Sequence, residues 1–411
     1  MRDFSAVAAL KHRNFRLFWA GQCISLIGTW MQNVAQAWLV LEITKSAFWL
    51  GVVSAVQFLP VLVLSLYAGT LIDRFPKKQM LIFTQTTLMV LAFILAVDTW
   101  MHTVALWHVL ILAGVLGIAN TLDMPTRQAF MIELVGREDL MNAIVLNSSI
   151  FNAARVVGPT VAGMAIAGVG IDWCFFINAV SFLPVITGIT MIRLSGHPTA
   201  AAKQEKTGVW PEIRAGLSYV RNTPGILMPI LILAVVNVFT MNFNVVVPLY
   251  AKDVFHSGAG GFGFLMSANG LGALIGAAIL AAKSRNGPSA RTLVAGGVGI
   301  GIFELAITPM KSFAVVYLLL MLVGVCMITF TTTANSLVQV QAPNHLRGRV
   351  MSIFTLVFAG LSPIGSFLSG SAAHAWGAPV TLGLGAGISL VLVLALVLRN
   401  REFLQVAVAS E

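Results

Sequence analysis

Residues 69–79 read GTLIDRFPKKQ. Asp73, Arg74, Lys77 and Lys78 fall within this short stretch, between two long apolar runs, in a chain where only 10% of residues are charged. Gly69 precedes the aspartate by four residues, about one helical turn. Charge this scarce, packed into a link this short, marks a tight turn where two apolar helices meet water.

Composition points the same way. The 411 residues are 58% hydrophobic, and the mean hydropathy is +0.89. A soluble domain carries roughly 25% charged residues, so the polar surface here is too small to cover a globule in water. The fitting solvent is a bilayer, which a helix of about 20 apolar residues spans. The formal net charge of +10 does not imply nucleic acid, because the basic residues sit in short clusters between apolar runs. Cys23, Cys174 and Cys326 lie inside apolar segments. Their odd number and scatter argue against a disulfide framework, and their spacing offers no metal site. The apolar run after Arg16 is too long for a cleavable signal and reads as the first span. No cofactor is implied.

Twelve spans are expected, at about 15–40, 47–71, 79–97, 104–132, 142–168, 172–193, 226–250, 261–282, 291–309, 313–337, 349–373 and 378–398. The fold class is therefore all-α and integral to the membrane, in two six-helix halves. Most of the 25 Lys and Arg residues fall on one side of these spans, with Lys45, Lys252 and Lys311 opposite. The positive-inside rule then places both termini in the cytoplasm. The expected domains are an N-terminal half over 1–193, a linker over 194–225 and a C-terminal half with a short tail over 226–411. Within the linker, Ile213, Leu217 and Val220 recur at helical spacing over Pro211–Arg221, predicting an interfacial amphipathic helix. The halves also look related, with Gln57 matching Asn269 and Pro76 matching Pro288. Such weak repeats mark transporters whose substrate site lies between repeats.

The loop GTLIDRFPKKQ resembles the loop motif of the major facilitator superfamily, with Gly69, Asp73, Arg74, Lys77 and Lys78 matching and Pro76 replacing a second glycine. HRNFRLFW, DMPTRQAFMIELVGREDLMNA, NAARVVGPTVAG and PNHLRGRVMS extend the likeness over nearly the whole chain. They resemble the bacterial enterobactin-exporter-like, drug-efflux branch. The resemblance implies a secondary transporter in the bacterial cytoplasmic membrane, working on a small-molecule substrate and protons as a monomer among membrane lipid. Nucleic acid has no part in it.

The loop's physics is legible in its own right. Gly69 lacks a Cβ and admits a close neighbour. Asp73 offers a carboxylate to a positive helix N-terminus, which the resemblance places at Arg349. Arg74 and Lys77 have acids available in Asp123 and Glu133, while Asp123 and Arg127 stand one turn apart and suit a local pair. These residues form the expected cytoplasmic gate. A solvated positive turn is the alternative for Arg74 and Lys78.

RVVGPTVAG supplies Arg155, Gly158, Pro159 and Gly163 in span 5 and resembles the antiporter motif of exporters. Pro159 bends the helix and the glycines allow close packing; ordinary helix packing is the alternative. A charge inside a span is disfavoured by roughly 2.5–3.5 kcal/mol, so Arg155 faces a cavity, a partner or the interface.

Ser25, Thr29, Gln32, Asn33 and Gln36 share one face of span 1, and Asn237, Thr240 and Asn244 its counterpart in span 7. They line either a substrate cavity or helix contacts. Glu304 is the deep acid of the second half and, with Asp123, a candidate for proton coupling. A Walker A loop, paired metal-binding histidines and a nucleophile elbow are all lacking, so an enzyme is not expected. The leading expectation is a proton-coupled exporter of an amphipathic organic compound, siderophore-like or drug-like, by alternating access. An uptake permease and a non-transporting receptor are the alternatives.

Overall fold

The computed structural model describes residues 8–72, 75–136, 138–193, 209–282, 287–343 and 346–405. The first six helices are α1 (Arg13–Thr44), α2 (Ala47–Ile72), α3 (Lys77–Trp100), α4 (Leu106–Val135), α5 (Leu140–Gly168) and α6 (Ile171–Met191). After the linker come α7 (Val209–Asn222), α8 (Pro224–Phe239), α9 (Phe243–Leu249) and α10 (Gly258–Ala282). The remaining helices are α11 (Ala290–Ile307), α12 (Phe313–Gln341), α13 (Arg347–Gly360) and α14 (Ser362–Arg399).

Local chemistry sets several boundaries. Lys45 takes a left-handed conformation (φ 50°), and its N–H donates to the Leu41 carbonyl, which ends α1. Gly136, with φ 71°, ends α4. Ser289 caps α11, its Oγ accepting the Thr292 N–H at 3.2 Å.

Ten apolar stretches among the described residues are long enough to cross a bilayer. Two physical details relate these to the expected twelve. α1 has 32 residues, about 48 Å at 1.5 Å per residue. Gln22, Gln32, Asn33 and Gln36 lower its apolarity but not its reach. Arg347–Arg399 forms one stretch of 53 residues, about 80 Å long against a hydrocarbon core of about 30 Å. The helix is broken at Gly377 (φ 79°), so the stretch holds two crossings.

The seventh expected span, 226–250, is interrupted. α8 stops at Phe239, α9 starts at Phe243, and a π-helical turn follows over Tyr250–Val254. Pro248 removes one backbone N–H in α9. In the turn, Phe255 N–H reaches the Tyr250 carbonyl at 3.0 Å. Thr240 and Asn242 satisfy the carbonyls of Val236 and Val238 where α8 ends.

Packing divides the chain into one unit of Met1–Lys45 with Leu59–Lys203, and another of Ser46–Phe58 with Gln204–Glu411. The division read from sequence assigns all of span 47–71 to the first half, whereas packing groups its first turns with the second. There a Cβ on Gly51 would lie 2.8 Å from Gly370 Cα. The Phe48 and Phe367 rings stand 5.8 Å apart.

The core of the first unit is built by Phe15, Phe18, Leu81, Phe130, Phe182, Val185 and Ile189. Phe18 and Phe130 meet edge to face at 5.9 Å. In the second unit Ile232, Leu233, Phe262, Leu293 and Phe330 are fully buried. Large apolar side chains also cover the outside, Phe83 at 65% exposure and Val391 at 67% among them. Acyl chains solvate such a surface; water does not.

Candidate functional site

A buried polar network joins α1, α3 and α4. Asp123 is 1% exposed because α4 turns it toward α3, not toward lipid. Its Oδ1 accepts from Thr84 Oγ1 and Gln85 Nε2, both at 2.8 Å. Its Oδ2 pairs with Arg127 Nη2, one turn along α4. Arg127 Nη1 donates to Gln22 Oε1 of α1 at 2.5 Å. The carboxylate thus receives two neutral donors and one charged one, which offset its desolvation. Gln22 Nε2, Gln85 Oε1 and Arg127 Nε have no hydrogen-bond partner among the described residues. The network retains donors and an acceptor for a further group.

Gly69 lies in the last turn of α2, while Asp73 and Arg74 lie outside the described residues. Lys77 Nζ pairs with Glu133 Oε1 at 2.7 Å. Lys78 Nζ donates to the carbonyls of Thr190 and Ile192 at 3.0 and 2.8 Å. It places a cation on the unpaired carbonyls where α6 ends. Arg349, in the first turn of α13, packs beside α7: a Cβ on Gly216 would lie 3.2 Å from Arg349 Cβ.

α5 meets α1 around Trp30. A Cβ on Gly158 would come 2.5 Å from Trp30 Cβ and 2.9 Å from the Ile27 carbonyl, so only glycine fits this approach. The Arg155 guanidinium lies over the Trp30 ring, 5.8 Å from its centroid, a cation–π arrangement. Phe151 contacts the same ring edge to face at 5.7 Å. Pro159 and Gly163 are buried on the same helix.

The polar face of α1 is divided between partners. Gln32 Oε1 accepts from Asn178 Nδ2 of α6 at 2.5 Å, and Thr29 returns its hydroxyl to the Ser25 carbonyl. Ser25 and Gln36 are buried, while Thr29 and Asn33 are half-buried. In the second unit Asn237 Nδ2 donates to the Phe358 carbonyl of α13 at 2.6 Å. Thr240 is buried and Asn244 half-buried. Glu304 is fully buried on α11, and neither carboxyl oxygen has a partner among the described residues. Among those residues, no group of three or more His, Cys, Asp or Glu side chains forms a metal site.

Thr84, Gln85 and Asn178 were not singled out by sequence reasoning. The signal was present: TQTT at 84–87 interrupts an otherwise apolar span, and polar residues inside a span need partners. The Lys78 cap had no sequence signal, since it joins residues far apart in the chain.

Long apolar helices, kinked by proline and glycine and joined internally by polar contacts, define a multi-pass membrane protein. The fold matches the crystal structure of a variant of the peptide transporter POT with a TM-score of 0.78, at 13% identity, over 96% of this chain and 95% of that one. The chain belongs to the transmembrane secretion effector family of the major facilitator superfamily, matching it over residues 4–408. It is 27% identical to the multidrug efflux pump Tap of Mycolicibacterium fortuitum, over 86% of this chain and 88% of that protein. It is 23% identical to the staphyloferrin A transporter of Staphylococcus aureus, over 88% and 90%.

Proposed function

We propose that this protein is a proton-coupled exporter of an amphipathic organic compound, siderophore-like or drug-like, in the bacterial cytoplasmic membrane. Both termini lie in the cytoplasm, and the monomer works by alternating access. The observation that carries the reading is the buried Asp123–Arg127 pair. A carboxylate at 1% exposure, tied to Arg127 and through it to Gln22 on the polar face of α1, joins two helices by charge inside the membrane and is a candidate for the coupling site. Breaking the pair would free Arg127 and loosen α4 from α1. Full-length membership in a secretion effector family and two relatives named for drug efflux and staphyloferrin transport support the direction and the substrate class.

In this reading the polar face of α1, with Arg155 over Trp30, meets the substrate in the first unit, and Asn237, Thr240 and Asn244 offer it polar groups in the second. Glu304 is a second proton-exchanging candidate. The loop at 69–78 acts as a breakable latch with Lys77–Glu133 at its base, and Asp73→Asn slows transport without loss of protein from the membrane. Everted vesicles test the direction. With respiration acidifying their lumen, vesicles containing the chain should take up ethidium or an iron-free siderophore, and a protonophore should abolish the uptake. Uptake indifferent to the protonophore would remove proton coupling. Accumulation by intact cells, dependent on the chain, would favour the permease instead.

A further inference from the structure

We infer that the groove between α1 and α6 is a binding site for one anionic phospholipid. The groove is open along its outer side, offers about 830 Å³ and is lined by Arg13, Arg16, Ala20, Ile24, Leu183 and Met191, among others. The two helices run antiparallel and close together: a Cβ on Gly188 would lie 2.7 Å from the Leu17 carbonyl, and one on Gly21 2.5 Å from Val185 Cα. The small residues Ala20, Gly21 and Gly188 leave the seam shallowly floored, while the longer side chains beside it form walls.

Three observations select the occupant. First, the groove lies away from the polar network. At about 100° per residue, Arg13, Arg16, Ala20 and Ile24 form a stripe on the side of α1 opposite Gln22, Thr29 and Asn33. Ile24, Leu183 and Met191 are 51%, 49% and 49% exposed, so this side meets acyl chains.

Second, the length fits. Arg13 to Ile24 rises about 16 Å along the helix, half of a hydrocarbon core of about 30 Å. The groove is one leaflet deep.

Third, the charge is at one end. Arg13 and Arg16 are exposed at the mouth, and neither enters a salt bridge among the described residues. The nearby acid Asp139 is taken by His12 at 2.7 Å. Two forked guanidinium groups above an apolar trough match a phosphate above an acyl chain. On the orientation proposed above, the lipid belongs to the cytoplasmic leaflet. The site stands whether or not the export reading does, because it uses residues outside the proposed substrate path.

The test is native mass spectrometry of the full chain from detergent, titrated with phosphatidylglycerol, phosphatidylcholine or inorganic phosphate. One phosphatidylglycerol should bind at least tenfold more tightly than phosphatidylcholine, and inorganic phosphate should not compete at equal concentration. Arg13→Gln/Arg16→Gln should abolish the preference for the anionic lipid. Ala20→Phe fills the trough from an exposed position, leaves both arginines in place and should weaken binding of either lipid. Equal retention of the two lipids by the wild type, an unchanged preference in the arginine variant, or full binding by Ala20→Phe would each overturn the site. Competition by phosphate alone would show an anion site without a lipid. Saturable displacement of lipid by ethidium would show a substrate portal instead.

Discussion

Replacing Asp123 by Asn removes one charge of a buried pair while keeping the side chain's size. Thr84 and Gln85 can still donate to the remaining oxygen, but the new amide N–H₂ faces Arg127, donor against donor. Arg127 then stays charged with its carboxylate lost. Removing one partner of a buried pair costs about 3–5 kcal/mol. Arg127 retains 18% exposure and its bond to Gln22, which puts the expected loss near the lower end, about 3 kcal/mol. Arg127→Gln should cost a similar amount by leaving Asp123 without its charged donor. The double variant carries neither charge, so its loss should fall short of the sum of the single losses by about 1.5–3 kcal/mol. SDS-driven unfolding of the purified chain in mixed micelles, followed by tryptophan fluorescence, gives all three values. A double variant whose loss equals the sum within about 0.5 kcal/mol would refute the buried pair.

Lys78→Met keeps the apolar stem but withdraws the cation from the end of α6. It should cost about 0.3–1 kcal/mol and speed hydrogen exchange selectively around residues 189–192. Gln32→Leu leaves the Asn178 amide buried without its acceptor and should cost about 1–3 kcal/mol. Adding Asn178→Leu should recover most of that in the same unfolding assay. Glu304→Leu replaces a buried carboxyl that has no partner among the described residues with an apolar side chain of similar length and should raise stability by about 1–3 kcal/mol. Its transport rate in vesicles shows separately whether the carboxyl is needed for turnover.

The membrane-spanning architecture was legible because a bilayer imposes a length and a composition that few soluble helices meet. Even the weakest span, α1, could be read, since its polar residues repeat on one face instead of breaking the run. The amphipathic spacing of Ile213, Leu217 and Val220 likewise lies within the helix found over Val209–Asn222. What escaped were the interruption of the seventh span and the contacts between distant residues. The break at Thr240–Asn242 and the π-helical turn depend on side chains that satisfy freed carbonyls, and the sequence shows only Pro248 as a warning. In the site, Asp123 with Arg127 was visible as a local i, i+4 pair. Thr84 and Gln85, which complete the carboxylate's shell, come from another helix, and Asn178 opposite Gln32 from a third. Polar residues in spans reveal that partners must exist; only the packing reveals which ones.

The central claim is that an organic compound and a proton move in opposite directions through this chain. The most direct measurement is proton flux in proteoliposomes that hold the purified chain as the sole protein, with pyranine trapped inside an acidic lumen. Adding ethidium or an iron-free siderophore outside should alkalinise the lumen at a rate that scales with substrate entry and is absent from protein-free liposomes. Substrate entry at an undiminished rate with no change in lumenal pH would contradict the account.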